Sequence, residues 1–337
     1  DEAAELVATA RQCTSAPLVV GGAATLCCRE PLLEFLGADH LVAGPGERAL
    51  PELLEALEAG AEAPRVVDGW KMGIIPGLTH PRGEHLNYRR YFENPAGLEF
   101  RRGCHQACPF CVERLRPVLS RKIEAVLEEA RLIAEMRISM MYICDSEVNL
   151  DLESTTAFLK ALADEDLGLR WSGYFRPVPF NPLVARLAAS SGCTSLTLSV
   201  ESWELSRENG AYGCDEINMF CELCRSEGIQ VAVDLLVGYP GEPLSSVEAA
   251  LEAVSGAGPE TVGVNQYIRL FQDTPARRDA CAPGATGKFL GVLEENPHLI
   301  KPVFYSSIDP GWLAERIKGE PAFRIEGTDH KVNYQRV

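Results

Sequence analysis

Three cysteines lie close together in the middle of the chain, at Cys104, Cys108 and Cys111. Their thiolates can converge only if the backbone turns tightly, and Gly103 and Pro109 suit such a turn. Thiolates are the preferred ligands of iron–sulfur clusters and of zinc. Three ligands rather than four would leave one iron of a [4Fe-4S] cluster open to bind another molecule.

This spacing rarely arises by chance. With 12 cysteines in 337 residues, the pattern is expected somewhere in the chain with a probability of about 0.02. A structural zinc site completed by His105 or by a remote cysteine is the alternative. A second cysteine pair, Cys221 and Cys224, lies within a predicted helix, where buried core thiols are favoured over a second cluster.

Alternating strands and helices surround the triplet. Strands are predicted at 98–101, 139–143, 169–174, 195–200, 230–237 and 262–267, with helices at 118–136, 152–164, 181–191, 214–227 and 244–256. Six such steps predict an α/β fold with a parallel sheet, curled by right-handed crossovers into a partial (β/α)6 barrel over 97–280. A C-terminal extension follows at 281–337. Functional residues are expected at the carboxyl ends of the strands.

With an Arg-Gly pair before the first cysteine and Phe110 before the third, the triplet resembles the signature of radical S-adenosylmethionine enzymes. The resemblance implies that Cys104, Cys108 and Cys111 hold the cluster and that Phe110 lies at the cofactor. It implies that the open iron chelates the methionine part of S-adenosylmethionine. One-electron reduction, by a donor such as flavodoxin or ferredoxin, then cleaves a C–S bond and usually gives a 5′-deoxyadenosyl radical.

Two later segments extend the resemblance. Gly238, Pro240 and Gly241 belong to a sequence that matches the family's Gly-x-Pro-Gly-Glu turn, although an ordinary strand–helix turn has the same composition. Ser199 and Glu201 belong to a sequence that resembles the family's Gly-x-Glu-Ser segment, with Ser199 in place of the usual glycine. The resemblance places these residues at the cofactor, whereas the alternative for Glu201 is a solvated carboxylate at a helix start.

Polar residues after other strands are further candidates. Asp145 is the first polar residue after the second strand of the predicted barrel that could face the site, and a helix-cap role is its alternative. The remaining candidates for the barrel mouth are Tyr174, Arg176, Asn265, Gln266 and Arg269. None of them identifies a general base.

The first 60 residues predict helices at 2–12, 30–36 and 50–59 and strands at 17–20 and 39–43. These two βα units are half of a doubly wound domain, so we expect an earlier part to be missing. Residues 61–96 are interpreted as a linker. The set Gly21, Gly22, Gly44, Gly46 and Glu47 resembles the later part of a flavodoxin-like cobalamin-binding domain, and residues 75–78 resemble the segment that joins it to the barrel. These glycines could also be plain βα turns without cobalamin.

Charge and hydropathy exclude some classes of protein. The net charge of −16 and the lack of a basic run argue against a nucleic-acid partner. No apolar run of about 18 residues predicts a membrane span, and no signal peptide is visible. A cytoplasmic protein with reduced thiols is therefore expected.

The two resemblances together indicate a cobalamin-dependent radical enzyme of the class B methyltransferase type. Its expected activity is methylation of an unactivated carbon, or phosphorus, of a small molecule or peptide. Cyclisation, rearrangement or oxidation without methyl transfer is one alternative. A non-enzymatic cobalamin or iron–sulfur sensor is another, and a tRNA methylthiotransferase is disfavoured by the acidic charge.

Overall fold

Two parallel β-sheets organise the chain, which a computed structural model describes over residues 2–80, 94–207 and 210–326. The first sheet has three strands, β1 at Val19–Val20, β2 at His40–Ala43 and β3 at Val66–Asp68, which pair in the order β1-β2-β3. Around it lie α1 (Glu2–Cys13), a 3-10 turn (Ala23–Leu26), α2 (Arg29–Leu36), α3 (Ala49–Glu58) and α4 (Gly69–Met72).

The segment interpreted as a linker, residues 61–96, contains regular structure in its first part, namely β3 and α4. β3 pairs in parallel with β2, with Leu41 opposite Val66 and Ala43 opposite Asp68. A strand of three residues is too short to show periodicity, and its neighbour in the sheet supplies the hydrogen bonds that stabilise it. Residues 81–93 of the same segment lie outside the described residues.

The second sheet has seven parallel strands, which are β4 (Ala96–Leu98), β7 (Met140–Ile143), β8 (Arg170–Phe175), β9 (Cys193–Glu201), β10 (Gln230–Leu236), β11 (Thr261–Asn265) and β15 (Phe323–Ile325). They pair in the order β4-β7-β8-β9-β10-β11-β15. The connecting helices are α5 (Ile123–Glu135), α6 (Leu152–Glu165), α7 (Pro182–Ser190), α8 (Ser202–Leu205), α9 (Cys214–Ser226) and α10 (Leu244–Ala257). This parallel α/β arrangement confirms the predicted class and the order of its elements.

Two small antiparallel sheets complete the described fold. β5 (Arg101–Arg102) pairs with β6 (Leu119–Ser120), and β14 (Val303–Ser306) pairs with β12 (Ile268–Leu270) and β13 (Lys288–Leu290). Two further helices are α11 (Pro275–Ala280) and α12 (Pro310–Arg316). The region beyond residue 280 thus adds β15 to the edge of the main sheet, a pairing that its irregular sequence did not indicate.

The strands of the main sheet bury alternate residues. In β10, Val231, Val233 and Leu235 are buried, whereas Asp234 on the opposite face is partly exposed. Because right-handed crossovers place the connecting helices on one side, the buried face meets α5 to α10. Cys221 and Cys224 lie in this core, which confirms the prediction of core thiols for that pair.

None of the helices in the described ranges is long and apolar enough to span a membrane. The longest, α6 and α10, have 14 residues each.

Candidate functional site

The three cysteines of the triplet lie on one loop, residues 103–118, which we call the cysteine loop. Its base is closed by the β5–β6 ribbon, in which Arg102 lies opposite Leu119. Gly103 has φ of 88°, and a Cβ at this position would lie 2.2 Å from the carbonyl oxygen of Pro117. Only glycine can therefore start this loop without displacing its backbone.

Hydrogen bonds within the loop fix its curvature. The backbone N–H of Arg116 donates to the carbonyl of Cys104 at 2.8 Å, and that of Cys111 donates to the carbonyl of Cys108 at 3.2 Å. All three thiols are free, with Cys104 buried and the other two half-buried. Burial raises the pKa of Cys104 to about 11, and burial with the nearby charge of Glu201 raises the pKa of Cys108 to about 12. A metal that binds thiolates would reverse this effect.

The donor set fits an iron–sulfur cluster better than a single zinc ion. In the described part of the chain, no three His, Cys, Asp or Glu side chains are placed to share one metal ion. Thiolates on one tetrahedral zinc lie only about 3.8 Å apart, because Zn–S bonds are about 2.3 Å long. His105, the proposed fourth zinc ligand, is exposed and lies 3.4 Å from the side chain of Gln106. In a cluster, by contrast, each cysteine binds a different iron.

Two neighbouring strands bring charged side chains to the cysteine loop. Arg176 follows β8 and donates to both oxygens of Glu201, at 3.3 and 3.4 Å, and to Sγ of Cys108 at 3.3 Å. Glu201 ends β9, lies 4.0 Å from the same sulfur and accepts a 2.5 Å hydrogen bond from the hydroxyl of Tyr212. Burial alone would lower the pKa of Arg176, but the Glu201 carboxylate keeps it above its ordinary value.

Asp145 and Glu147 both follow β7, but the structure gives them different roles. Asp145 Oδ1 accepts hydrogen bonds from the backbone N–H groups of Phe100 and Arg101, at 2.8 and 3.0 Å. These bonds interrupt the strand predicted at 98–101 and direct the chain into the cysteine loop. Asp145 therefore positions that loop, and it remains only a prediction that its carboxylate also contacts a cofactor.

Glu147 is a site residue that the sequence did not single out. Its side chain is almost fully buried, and its Oε2 atom has no hydrogen-bond partner among the described residues. Burial, together with the charge of Glu201, raises the pKa of Glu147 to about 8, which a hydrogen bond with Ser199 opposes. Asp145 and Glu147 are two residues apart after the same strand. Because side chains of an extended chain alternate between two faces, both are expected on the same face, and the sequence could not distinguish them.

The turn after β10 is organised by a carboxylate. Glu242 Oε2 accepts hydrogen bonds from the backbone N–H groups of Gly238 and Tyr239, at 2.8 and 3.1 Å. Gly238 and Gly241 have φ of 87° and 78°, and a Cβ on Gly238 would lie 2.5 Å from Oγ of Ser306. Because Gly238 lies so close to Ser306, the turn packs directly against the strand β14. Pro240 lies between the two glycines.

Aromatic rings connect this turn with the cysteine loop. Phe110 packs edge-on against Trp203, with ring centres 5.8 Å apart, and Trp203 packs against Tyr239 at 5.0 Å. Nε1 of Trp203 and Oε1 of Gln266 are buried without a partner among the described residues. The structure thus brings Phe110, Ser199, Glu201 and the Gly238 turn to one edge of the sheet.

The other residues predicted to line the open end of the barrel do not lie together. Tyr174 donates a 2.6 Å hydrogen bond to Asp234 on the polar face of the sheet. Arg269 is exposed and stacks over Phe271 at 4.9 Å. Asn265 ends β11 opposite Leu236, one strand farther from the cysteine loop.

Of the candidate residues after the strands of the first sheet, Gly44 and Glu47 lie near the cysteine loop. Gly21 and Gly22 follow β1, and Gly44, Gly46 and Glu47 follow β2. The carboxylate of Glu47 accepts a 2.7 Å hydrogen bond from Arg102, which directly precedes Gly103.

Trp70, a residue that the sequence did not indicate, lies between the loop that follows β2 and the cysteine loop. A Cβ on Gly44 would lie 2.5 Å from Cδ1 and Nε1 of its indole, and a Cβ on Gly103 would lie 3.0 Å from the far edge of the same ring. Both glycines are therefore required where they stand. The helix α4, which carries Trp70, has only four residues and is too short to show a periodic signal, which is why the sequence did not reveal it.

The sequence of this chain is similar to a known protein family and to several curated enzymes. Residues 98–254 match the family model described as the radical SAM superfamily. The tryptophan 2-C-methyltransferase of Streptomyces laurentii is 23% identical over 77% of this chain and 58% of its own length. A tRNA-2-methylthio-N(6)-dimethylallyladenosine synthase of Cereibacter sphaeroides is 27% identical over 68% of this chain and 54% of its own. The chain thus spans little more than half the length of these curated relatives.

Solved structures of one methyltransferase have a similar fold. The radical S-adenosylmethionine methyltransferase TsrM from Kitasatospora setae, with tryptophan and an S-adenosylmethionine analogue bound, aligns with a TM-score of 0.79 and 24% identity over 93% of this chain and 71% of that one. The same enzyme with cobalamin and a [4Fe-4S] cluster aligns with a TM-score of 0.74 and 25% identity over 85% and 64%. The motif, the fold and the family match agree that residues 98–254, just under half of the chain, are similar to the radical SAM superfamily.

Proposed function

We propose that this chain is a cobalamin-dependent radical S-adenosylmethionine enzyme that methylates an unactivated carbon, or phosphorus, of a small molecule or peptide. The observation that carries the proposal is the position of the cysteine loop. It lies between the carboxyl edge of the main sheet, with Arg176 and Glu201, and the glycine-bearing loops of the first sheet, with Glu47.

A finer description of the fold accompanies this function. We infer that the main sheet curls into a partial (β/α)6 barrel over 97–280, with an extension at 281–337. Residues 1–60 would be the C-terminal half of a flavodoxin-like cobalamin-binding domain, joined through 61–96. The sequential order of parallel strands supports the barrel, because successive crossovers of the usual right hand would curl the sheet in one direction.

Cys104, Cys108 and Cys111 would hold the cluster. Glu147 would accept a hydrogen bond from an ammonium group, since its buried Oε2 atom lacks a partner among the described residues. The backbone of the Gly238 turn, with Phe110 and Ser199, would bind the rest of S-adenosylmethionine, and the glycines of the first sheet would bind cobalamin. When bound, these groups would supply the electron that cleaves a C–S bond and the carrier for the methyl group.

A small-molecule substrate is favoured because one relative is named for the methylation of tryptophan, and a similar solved structure holds tryptophan as its substrate. Flavodoxin or ferredoxin would deliver the electron. The net charge of −16 disfavours a nucleic-acid substrate of the kind named for the methylthio relative, because phosphate contacts need clustered cations.

Anaerobic incubation with methyl-labelled S-adenosylmethionine, hydroxocobalamin, a strong reductant and tryptophan tests the proposal. We expect S-adenosylhomocysteine to form and the label to leave S-adenosylmethionine. A panel of other aromatic amines and peptides, analysed by mass, would then identify the acceptor by a gain of one methyl group.

Other outcomes separate the alternatives. Formation of 5′-deoxyadenosine with a product that lacks the label would favour cyclisation, rearrangement or oxidation. Stoichiometric binding of cofactors without either nucleoside product would favour a sensor, and would contradict the proposed enzyme.

A further inference from the structure

Three residues at the junction of the first sheet with the cysteine loop each have a buried polar atom without a hydrogen-bond partner among the described residues. These atoms are Glu47 Oε2, Trp70 Nε1 and Arg116 Nε. Each such atom costs about 1–3 kcal/mol when it stays unpaired, and so each requires an explanation. Three of them at one junction indicate a missing partner rather than three separate defects.

The three residues form one contiguous junction. Trp70 lies against both Gly44 and Gly103, and the guanidinium carbon of Arg116 lies over its ring at 6.0 Å from the centre. The other carboxylate oxygen of Glu47 pairs with Arg102 at 2.7 Å, one residue before Gly103. The Arg116 guanidinium also donates to the carbonyl of Leu26 at 3.1 Å, so it connects the cysteine loop with the turn that follows β1.

The unpaired atoms specify the chemistry of their partner. Glu47 Oε2 can only accept a hydrogen bond, whereas the N–H groups of Trp70 and Arg116 can only donate. A primary amide offers both an N–H donor and a carbonyl acceptor, so it matches this set. A phosphate diester has no donor for Glu47, and a buried carboxylate beside a second carboxylate would be repelled.

We propose that Glu47, Trp70 and Arg116 bind the primary amides that edge the corrin ring of cobalamin. The inference rests on the proposed function, because it takes cobalamin to occupy the loops of the first sheet. Arg116 belongs to the cysteine loop, whereas Glu47 and Trp70 follow strands of the first sheet. Recognition of the corrin is therefore shared with the loop that holds the cluster, which links the two binding equilibria.

Titration of the full chain with hydroxocobalamin, followed by absorbance, tests the proposal. Glu47→Gln retains an oxygen for Arg102 but can place an N–H group where Oε2 accepts, and we expect at least about tenfold weaker binding. Trp70→Phe keeps a ring between the two glycines and removes only the N–H, so about fivefold weaker binding is expected. Glu52→Gln, on the exposed side of α3, removes the same charge and should bind as the wild type does.

A modified cobalamin tests whether the side-chain amides of the corrin are the groups recognised. Cobalamin in which a side-chain amide has been hydrolysed to a carboxylate should bind the wild type more weakly than the parent compound, and Glu47→Gln should reduce that difference. Iron content after reconstitution in the absence of cobalamin should match the wild type in every variant.

Equal affinity of the wild type, Glu47→Gln and Trp70→Phe for hydroxocobalamin would overturn the inference and leave the proposed function intact. Loss of iron from Glu47→Gln reconstituted without cobalamin, alongside its loss of cobalamin binding, would assign Glu47 to the folding of the cysteine loop and would also overturn the inference. Failure of the wild type to bind hydroxocobalamin would instead refute the cobalamin part of the proposed function, and this inference with it.

Discussion

The guanidinium of Arg176 lies 3.3 Å from the sulfur of Cys108. Arg176 follows β8, whereas Cys108 belongs to a loop that begins 70 residues or so earlier in the chain. The same guanidinium pairs with Glu201 at the end of β9. One buried cation thus connects two central strands with the thiol that would bind an iron of the cluster.

Replacement of Arg176 by Gln should destabilise the cluster-free protein by about 3 kcal/mol, because Glu201 would remain buried without its cation. Urea unfolding under reducing conditions measures the change in the free energy of unfolding. Arg207→Gln is the matched control, since that arginine is 61% exposed in its pair with Glu204 and should cost less than about 1 kcal/mol. An equal effect of both substitutions would contradict the role assigned to Arg176.

The pKa of Glu147 predicts how stability depends on pH in the cluster-free protein. Its folded pKa of about 8 lies above that of the unfolded chain, so the folded state keeps a proton that the unfolded state releases. The contribution of Glu147 is fully present below about pH 4 and is lost as the pH rises to about 8, at about 1.4 kcal/mol per pKa unit.

Glu147→Gln removes this titration, because the amide stays neutral. Unfolding at a series of pH values should show the wild type losing several kcal/mol relative to Glu147→Gln between about pH 5 and pH 8. A constant difference across that range would show that Glu147 titrates normally.

Gly103→Ala should prevent assembly of the iron site. The added Cβ would lie 2.2 Å from the Pro117 carbonyl oxygen, and the loop must open to relieve that clash. Gly168→Ala is the control, because Gly168 has φ of 67° but no atom within 4 Å of the added carbon.

Both alanines cost about 1–2 kcal/mol for the left-handed backbone. Only Gly103→Ala should lose most of its iron after anaerobic reconstitution. If both variants keep the wild-type iron content, the cysteine loop is more tolerant than the structure indicates.

Much of the fold followed from periodicity in the sequence. Helices α6 and α9 were predicted to within a residue, and strand β10 to within one residue at its end, because long buried elements repeat their apolar positions. The strands β3 and β15 escaped prediction, since each has three residues and depends on its neighbour in the sheet. Their stability comes from pairing, which no local pattern records.

The site followed from motifs only in part. The spacing of the cysteines predicted their common loop, and the two family-like segments lie at the same edge of the sheet as that loop. The choice between Asp145 and Glu147 required the hydrogen bonds of Asp145 to the backbone of Phe100 and Arg101. The indole of Trp70 lies against Gly44 and Gly103. These two glycines are far apart in sequence, and only the folded chain brings them together.

The most direct test of the central claim is the iron and sulfide content of the anaerobically reconstituted protein, compared between the wild type, Cys108→Ala and Cys281→Ala. Cys281 is exposed and lies outside the cysteine loop, so its loss controls for the removal of a thiol. We expect about four irons and four sulfides per chain in the wild type and in Cys281→Ala, with loss of the cluster's visible absorbance in Cys108→Ala. A wild-type chain that binds a single zinc ion, or a Cys108→Ala variant that keeps its full iron content and absorbance, would contradict the account.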